Sequence, residues 1–256
     1  MKRDKAVLAV SFGTSHLETI QKTIGAIEEE IQEAFPEFEV YRAFTSEMIR
    51  RKLKKRDGLD VSNVKEAMER MRRDGIEDVI VQPTYVINGT EYDIMKKELA
   101  GYQGVFKSMR VGKPLLTCPQ DYKEAAKAVL EENTLGPKEM LLLVGHGTEH
   151  HANAAYPTLE YMFHLLGHPQ VLVGTVEGFP KLRDVLERLA VLKAERVVLM
   201  PFLIVAGDHV KNDMAGGEGS WESILKEAGY EVKTVIRGLG EVPGIRKLFV
   251  RHAKEA

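Results

Sequence analysis

Apolar positions along this chain follow two alternating rhythms. Lys5-Ala-Val-Leu-Ala-Val-Ser11 is a short, almost unbroken apolar run, the pattern of a strand buried on both faces. Behind Gly13-Thr14-Ser15, the residues Ile20, Ile24, Ile27 and Ile31 recur at helical spacing, so the N-terminal segment reads as strand, loop and helix. The same order continues with a strand over 38–44, a helix over 64–73 that turns Ala67, Met68 and Met71 inward, and a strand over 78–82. After a helix near 122–132 the series begins again, with strands over 139–144, 170–174 and 196–201 and a helix over 181–191 between the last two. A final helix near 244–252 is expected to pack across the first half. Strands alternating with helices predict mostly parallel sheets flanked by helices.

The second half repeats the first in residues as well as in rhythm. Val10-Ser11-Phe12-Gly13-Thr14 aligns with Val144-Gly145-His146-Gly147-Thr148, and Gln82-Pro83-Thr84-Tyr85-Val86-Ile87 with Met200-Pro201-Phe202-Leu203-Ile204-Val205. Gly89 and Gly207 follow the second pair of segments. An internal duplication accounts for these matches. It predicts an α/β protein of two similar Rossmann-like lobes, 1–134 and 135–256, with the ligand in the cleft between them, because open α/β sheets bind beyond the carboxyl ends of their strands. In this alignment Phe12 stands where His146 does, Ser46 where Glu177 does and Glu91 where His209 does.

Charge and composition narrow the partners. Lys and Arg number 36 against 38 Asp and Glu, a balance that points to neither a nucleic-acid partner nor a membrane surface. The apolar run after the basic N-terminus is too short for a signal peptide, no run reaches membrane-spanning length, and a cytoplasmic location is expected. The single cysteine, Cys118, excludes an internal disulfide, a zinc knuckle and an iron–sulfur cluster. Neither Gly-Thr loop has the Lys-Ser/Thr ending of a phosphate-binding loop or a G-x-G-x-x-G fingerprint, so no nucleotide is expected.

Three residues concentrate the chemistry. His146, Glu177 and His209 each follow a strand, in Gly145-His146-Gly147, Val176-Glu177-Gly178 and Asp208-His209-Val210. One such residue alone could cap a helix or bond a loop; two imidazoles and a carboxylate leaving neighbouring strands at one edge make a site for a divalent transition metal with open coordination positions. His150 and His151 are either auxiliary metal-capturing groups or a solvated face. His16, His164, His168 and His252 read as structural or exposed. Ser11, Thr14, Ser15 and Thr148 are candidate donors to ligand carboxylates, and Gly216-Gly217-Glu218-Gly219 is either a loop over the cleft or a turn before a helix at Ser220-Trp221.

Val-Ser-Phe-Gly-Thr-Ser near the N-terminus, with Gly-His-Gly-Thr, Val-Glu-Gly and Gly-Asp-His-Val-Lys-Asn-Asp-Met in the second half, resembles the anaerobic sirohydrochlorin cobaltochelatases over essentially the whole chain. The resemblance implies a two-lobed class II chelatase, related in fold to protoporphyrin ferrochelatase. It would insert cobalt(II), its substrate metal, into sirohydrochlorin without ATP, in anaerobic cobalamin (vitamin B12) biosynthesis. It assigns the metal to His146, Glu177 and His209, and makes His146 the base that accepts pyrrole protons. Glu91, opposite His209 in the duplication, would assist proton removal or ion transfer, or else serve only as a carboxylate at a helix N-terminus. Phe12, Tyr85, Phe179, Phe202 and Leu203 are candidates to press on the tetrapyrrole ring, each with a core role as its alternative. A ferrochelatase or nickel chelatase and a noncatalytic haem or metal carrier are the competing readings. Oligomeric state is not set by the sequence, a homo-oligomer being one option.

Overall fold

The run Lys5–Ser11 forms β1, and its uninterrupted burial follows from strands on both sides and helices above and below. In the computed structural model, which describes residues 3–207 and 213–256, β1 is flanked by β2 (Glu39–Phe44) and β3 (Asp78–Pro83), and β4 (Ser108–Val111) pairs with β3. Every pairing is parallel. Helix Val64–Asp74 covers one face, burying Val64, Ala67, Met68 and Met71 with Ala6, Leu8 and Val10 of β1. Val7 and Ala9, alternating to the other face, are equally buried, as are Ile20, Ile24, Ile27 and Ile31 of the helical segment 17–34. That segment is α-helical at Leu17–Ile20 and Ala26–Ala34, with a π-helical turn at Gln21–Gly25 between.

The second half repeats this plan. β5 (Glu139–Gly145) is flanked by β6 (Val171–Thr175) and β7 (Arg196–Pro201), with β8 (Glu231–Thr234) on β7, again all parallel. The orders β2-β1-β3-β4 and β6-β5-β7-β8 are therefore one topology used twice. Helix Leu182–Val191 buries Val185 and Leu189 against Leu142, Val144, Leu172 and Leu199. No helix among the described residues is long and apolar enough to cross a membrane.

The compact units do not divide at residue 135. The first runs to Thr117 and is completed by Ile245–Ala256; the second is Cys118–Gly244. Helix Pro119–Glu131, which the sequence division assigned to the first lobe, packs against helix Ala155–Leu165 of the second. The C-terminal helix Pro243–Lys254 returns to the first unit, where Arg246 pairs with Glu30 at 2.7 Å and the buried His252 ring bonds the Lys113 carbonyl at 3.1 Å. Each exchange assigns an amphipathic helix to a unit that the chain order alone does not identify.

Strand β6 is an edge, and helix Ala155–Leu165 closes it with side chains. The Val173 N–H donates to Glu160 Oε2 at 2.8 Å, and His164 Nε2, one turn further on, donates to the Val171 carbonyl at 3.1 Å. Arg188 holds the other Glu160 oxygen at 2.5 Å. Groups that would otherwise invite another strand are thus satisfied internally. Glu160 is buried, so Glu160→Ala leaves an orphaned amide and an unpaired guanidinium. The expected loss is about 1–3 kcal/mol, mostly from the orphaned amide because the Arg188 guanidinium is 39% exposed, read as a lower urea midpoint at unchanged slope; a shift below about 0.5 kcal/mol would show the pair to be dispensable.

Candidate metal centre

Gly145 ends β5, and His146 leaves the sheet at its carboxyl edge. The loop after β6 comes alongside: the Val176 N–H donates to the Gly145 carbonyl at 3.1 Å and the Glu177 N–H to the His146 carbonyl at 2.8 Å. These bonds extend the β5–β6 ladder past the last strand residues and place the two side chains together. His146 Nδ1 lies 3.6 Å from Glu177 Oε2 and 3.0 Å from the Gly147 carbonyl. Because a carbonyl can only accept, Nδ1 is the donor in this contact, and a neutral imidazole held this way presents its lone pair on Nε2, as a metal ligand or proton acceptor requires. Both side chains are substantially exposed, at 40% and 60%, so an ion could reach them. The third expected ligand, His209, lies outside the described residues. Among the described residues no cluster of three or more potential ligands occurs.

The first unit builds the same frame with other side chains. The Thr45 N–H donates to the Ser11 carbonyl at 3.0 Å and the Ser46 N–H to the Phe12 carbonyl at 3.2 Å, bond for bond the arrangement around Gly145 and His146. The correspondence continues after β3 and β7. Thr84 N–H bonds the Val10 carbonyl at 2.8 Å as Phe202 N–H bonds that of Val144 at 2.7 Å; Leu115 bonds Tyr85 as Leu239 bonds Leu203, each at 2.8 Å. Phe12 and Ser46 therefore occupy the backbone positions of His146 and Glu177, as the sequence alignment requires. Glu91 sits in the first turn of helix Thr90–Leu99, where its Oε2 accepts from Thr45 Oγ1 at 2.9 Å.

A frame built twice, with a histidine and a glutamate side by side on one copy, agrees with what the whole sequence matches: the model of the family described as cobalt chelatase (CbiK) covers residues 5–256. The chain belongs to the cobalt chelatase (CbiK) family. It is 38% identical to the sirohydrochlorin cobaltochelatase of Salmonella typhimurium (strain LT2) over 254 residues, covering 98% of this chain and 96% of that one. It is 32% identical to sirohydrochlorin cobaltochelatase CbiKC of Nitratidesulfovibrio vulgaris, covering 98% and 90%. The fold is shared with SirB from Bacillus subtilis, solved with Fe3+, at a TM-score of 0.67 and 13% identity over 98% of this chain and 95% of that one. It is also shared with CbiX, described as the terminal enzyme for biosynthesis of siroheme in denitrifying bacteria, at 0.58 and 17% over 98% and 99%.

For this cobalt chelatase family member the remaining expected contacts separate by exposure. Phe12 and Phe179 are exposed at 45% and 60% and offer ring-sized apolar surface; Leu203 is partly buried. Phe202 is fully buried, so its side chain has no surface to give a ligand, and its place after β7 is a core position. Thr14, Ser15 and Tyr85 are also buried. Burial holds the Tyr85 phenol above its ordinary range and thus neutral. Ser11 bonds Thr84 at 2.7 Å inside the unit, and its hydroxyl is committed there. His150 Nδ1 accepts from the Ala152 N–H at 3.1 Å while its ring lies against that of His151, centroids 4.0 Å apart.

Three supporting residues gave no sequence signal. Thr45 holds Glu91. Asn153 receives the Thr148 N–H on Oδ1 at 3.1 Å and donates to the Phe179 carbonyl at 2.7 Å, tying the loops that carry His146 and Glu177 together. Tyr156, buried against Gly145, takes a long 3.5 Å bond from the Gly147 N–H, and burial pushes its phenol up to about 12. Each sits in a helix or loop where its residue type is unremarkable, so only the tertiary contacts reveal it.

Proposed function

We propose that this chain is an ATP-independent sirohydrochlorin cobaltochelatase of anaerobic cobalamin synthesis. The observation that carries the reading is near end-to-end identity of 38% with a relative of that name. Cobalt(II) is the substrate metal rather than a resident cofactor. His146, Glu177 and His209 hold the ion, with coordination positions left for water and then for ring nitrogens. Metal insertion also releases two pyrrole protons; the Nε2 lone pair of His146 accepts one, a role suited to an imidazole near neutral pH. Glu91, oriented by Thr45, serves as a further proton acceptor, and Phe12 contributes an apolar contact to the macrocycle.

The test is anaerobic conversion of sirohydrochlorin by the purified protein with cobalt(II), followed by absorbance against an enzyme-free control. Iron(II) and nickel(II) run in parallel, because a His/Glu donor set separates first-row ions weakly. Faster conversion with cobalt(II) than in the control is the expected result. Binding of the tetrapyrrole with no acceleration by any of the three metals would sink the enzymatic reading and favour a carrier.

A further inference from the structure

The two halves differ most just after β2. Nineteen residues separate Phe44 from helix Val64–Asp74, whereas six separate Thr175 of β6 from the equivalent helix Leu182–Val191. The surplus in the first half forms helix Glu47–Asp57, which has no counterpart in the second. Its sequence, Glu-Met-Ile-Arg-Arg-Lys-Leu-Lys-Lys-Arg-Asp, sets six cations against two carboxylates in a chain of formal net charge −2.

Both ends of this helix are fastened to the loop that follows β1. Ser46 caps its start, accepting the Ile49 N–H at 3.4 Å, and the Ser46 N–H is the group that bonds the Phe12 carbonyl. At the other end the Arg56 guanidinium donates to the Ser15 carbonyl. The cationic helix therefore borders the carboxyl edge of the first sheet, beside Phe12.

Two of the six cations serve the unit itself, Arg50 through the Val61 carbonyl and Glu66, and Arg56 through the Ser15 carbonyl; the other four pack no core. Leu53 is the side chain the helix buries, while Arg51, Lys52, Lys54, Lys55 and Arg56 are exposed. Arg51 with Lys55, and Lys52 with Arg56, are like charges at i,i+4 spacing, which weakens a helix. Glu47, Asp57 and Asp60 neutralise part of the charge through exposed pairs with Arg51, Arg56 and Lys54. Such pairs are weak and exchange readily for a ligand carboxylate.

We propose that helix Glu47–Asp57 is the carboxylate-recognition element for the tetrapyrrole, with Lys52 and Lys55 on its exposed flank as principal contacts to the acidic side chains of the ring. This rests on the reading of the substrate as sirohydrochlorin, a macrocycle rich in carboxylates. The helix supplies affinity and selection for acidic rings and takes no part in proton or metal transfer.

The test titrates metal-free sirohydrochlorin into wild-type protein, Lys52→Gln/Lys55→Gln, Lys52→Glu/Lys55→Glu and a control of equal charge loss, Lys127→Gln/Lys247→Gln, at several salt concentrations, alongside steady-state kinetics. In the first double variant Kd and KM should rise about three- to tenfold, the weakening expected from losing two partly screened ion pairs. Charge reversal should raise them further, kcat should stay unchanged, and the salt dependence should flatten. Circular dichroism should show intact folding. Wild-type Kd and salt slope in both lysine pairs, with an active wild-type enzyme, would overturn the helix assignment alone. A wild-type protein that neither binds nor metallates sirohydrochlorin would overturn the functional reading and this inference with it.

Discussion

Replacing His146 with alanine is expected to lower cobalt-dependent turnover by about 10²- to 10⁴-fold, the range a positioned proton acceptor supplies, and to leave folding almost untouched. The asymmetry follows from how the residue is held. Its carbonyl accepts the Glu177 N–H at 2.8 Å, and this main-chain bond survives the substitution. Its imidazole is 40% exposed and packs no core. Removing it should change the urea-unfolding free energy by no more than about 0.5 kcal/mol, as is usual for surface positions. Single-turnover absorbance with saturating cobalt(II) separates loss of the proton acceptor from simple loss of metal affinity. A variant with near wild-type single-turnover rate would remove His146 from the chemistry.

Gly147→Ala should have the opposite profile, harming fold and activity together. Gly147 has φ of 78°, a left-handed conformation that L-residues adopt at a cost of about 1–2 kcal/mol. A methyl group there would also run into the main-chain nitrogen of Gly178 and come within 2.7 Å of Thr175 Cβ. Neither can yield without breaking the ladder that carries Glu177, so the expected destabilisation is roughly 3 kcal/mol or more. Any relief would separate His146 from Glu177, and turnover should fall as well. Gly167 provides the comparison: φ is 87°, but nothing lies within 4 Å of an added Cβ. Gly167→Ala should show only the conformational cost and full activity. Equal urea midpoints for the two variants would refute the close-approach argument.

The central strands were legible because burial on both faces writes itself as an apolar run, as in Lys5–Ser11 and Glu139–Gly145. Ile20, Ile24, Ile27 and Ile31 marked a helix because one side of it is core. Helix Glu47–Asp57 left no such trace: it buries Leu53 and otherwise reads as a charge run. The edge strands β4 and β8, four residues each and only partly buried, are too short for alternation to declare itself. At the candidate site the alignment of the halves matched the backbone positions of Phe12 and Ser46 to those of His146 and Glu177, since it tracked a hydrogen-bond pattern that both units keep. For Phe202 it left a ring contact and a core position both open, because a strand-end aromatic facing inward and one facing outward have the same sequence context; the side chain is fully buried. Asn153 and Tyr156 act through contacts with distant loops, information that local spacing does not hold.

The paired main-chain bonds after β1 and β5 separate what keeps these loops in place from what the loops display. Positions 12 and 46 carry a phenyl ring and a hydroxyl, positions 146 and 177 an imidazole and a carboxylate, on the same peptide scaffold. Side chains at such positions are interchangeable parts: they can be gained, lost or traded while the architecture beneath them stands. A fold organised this way is evolvable at its chemistry without being fragile, because one copy can specialise in handling ions while its twin is released to face something else.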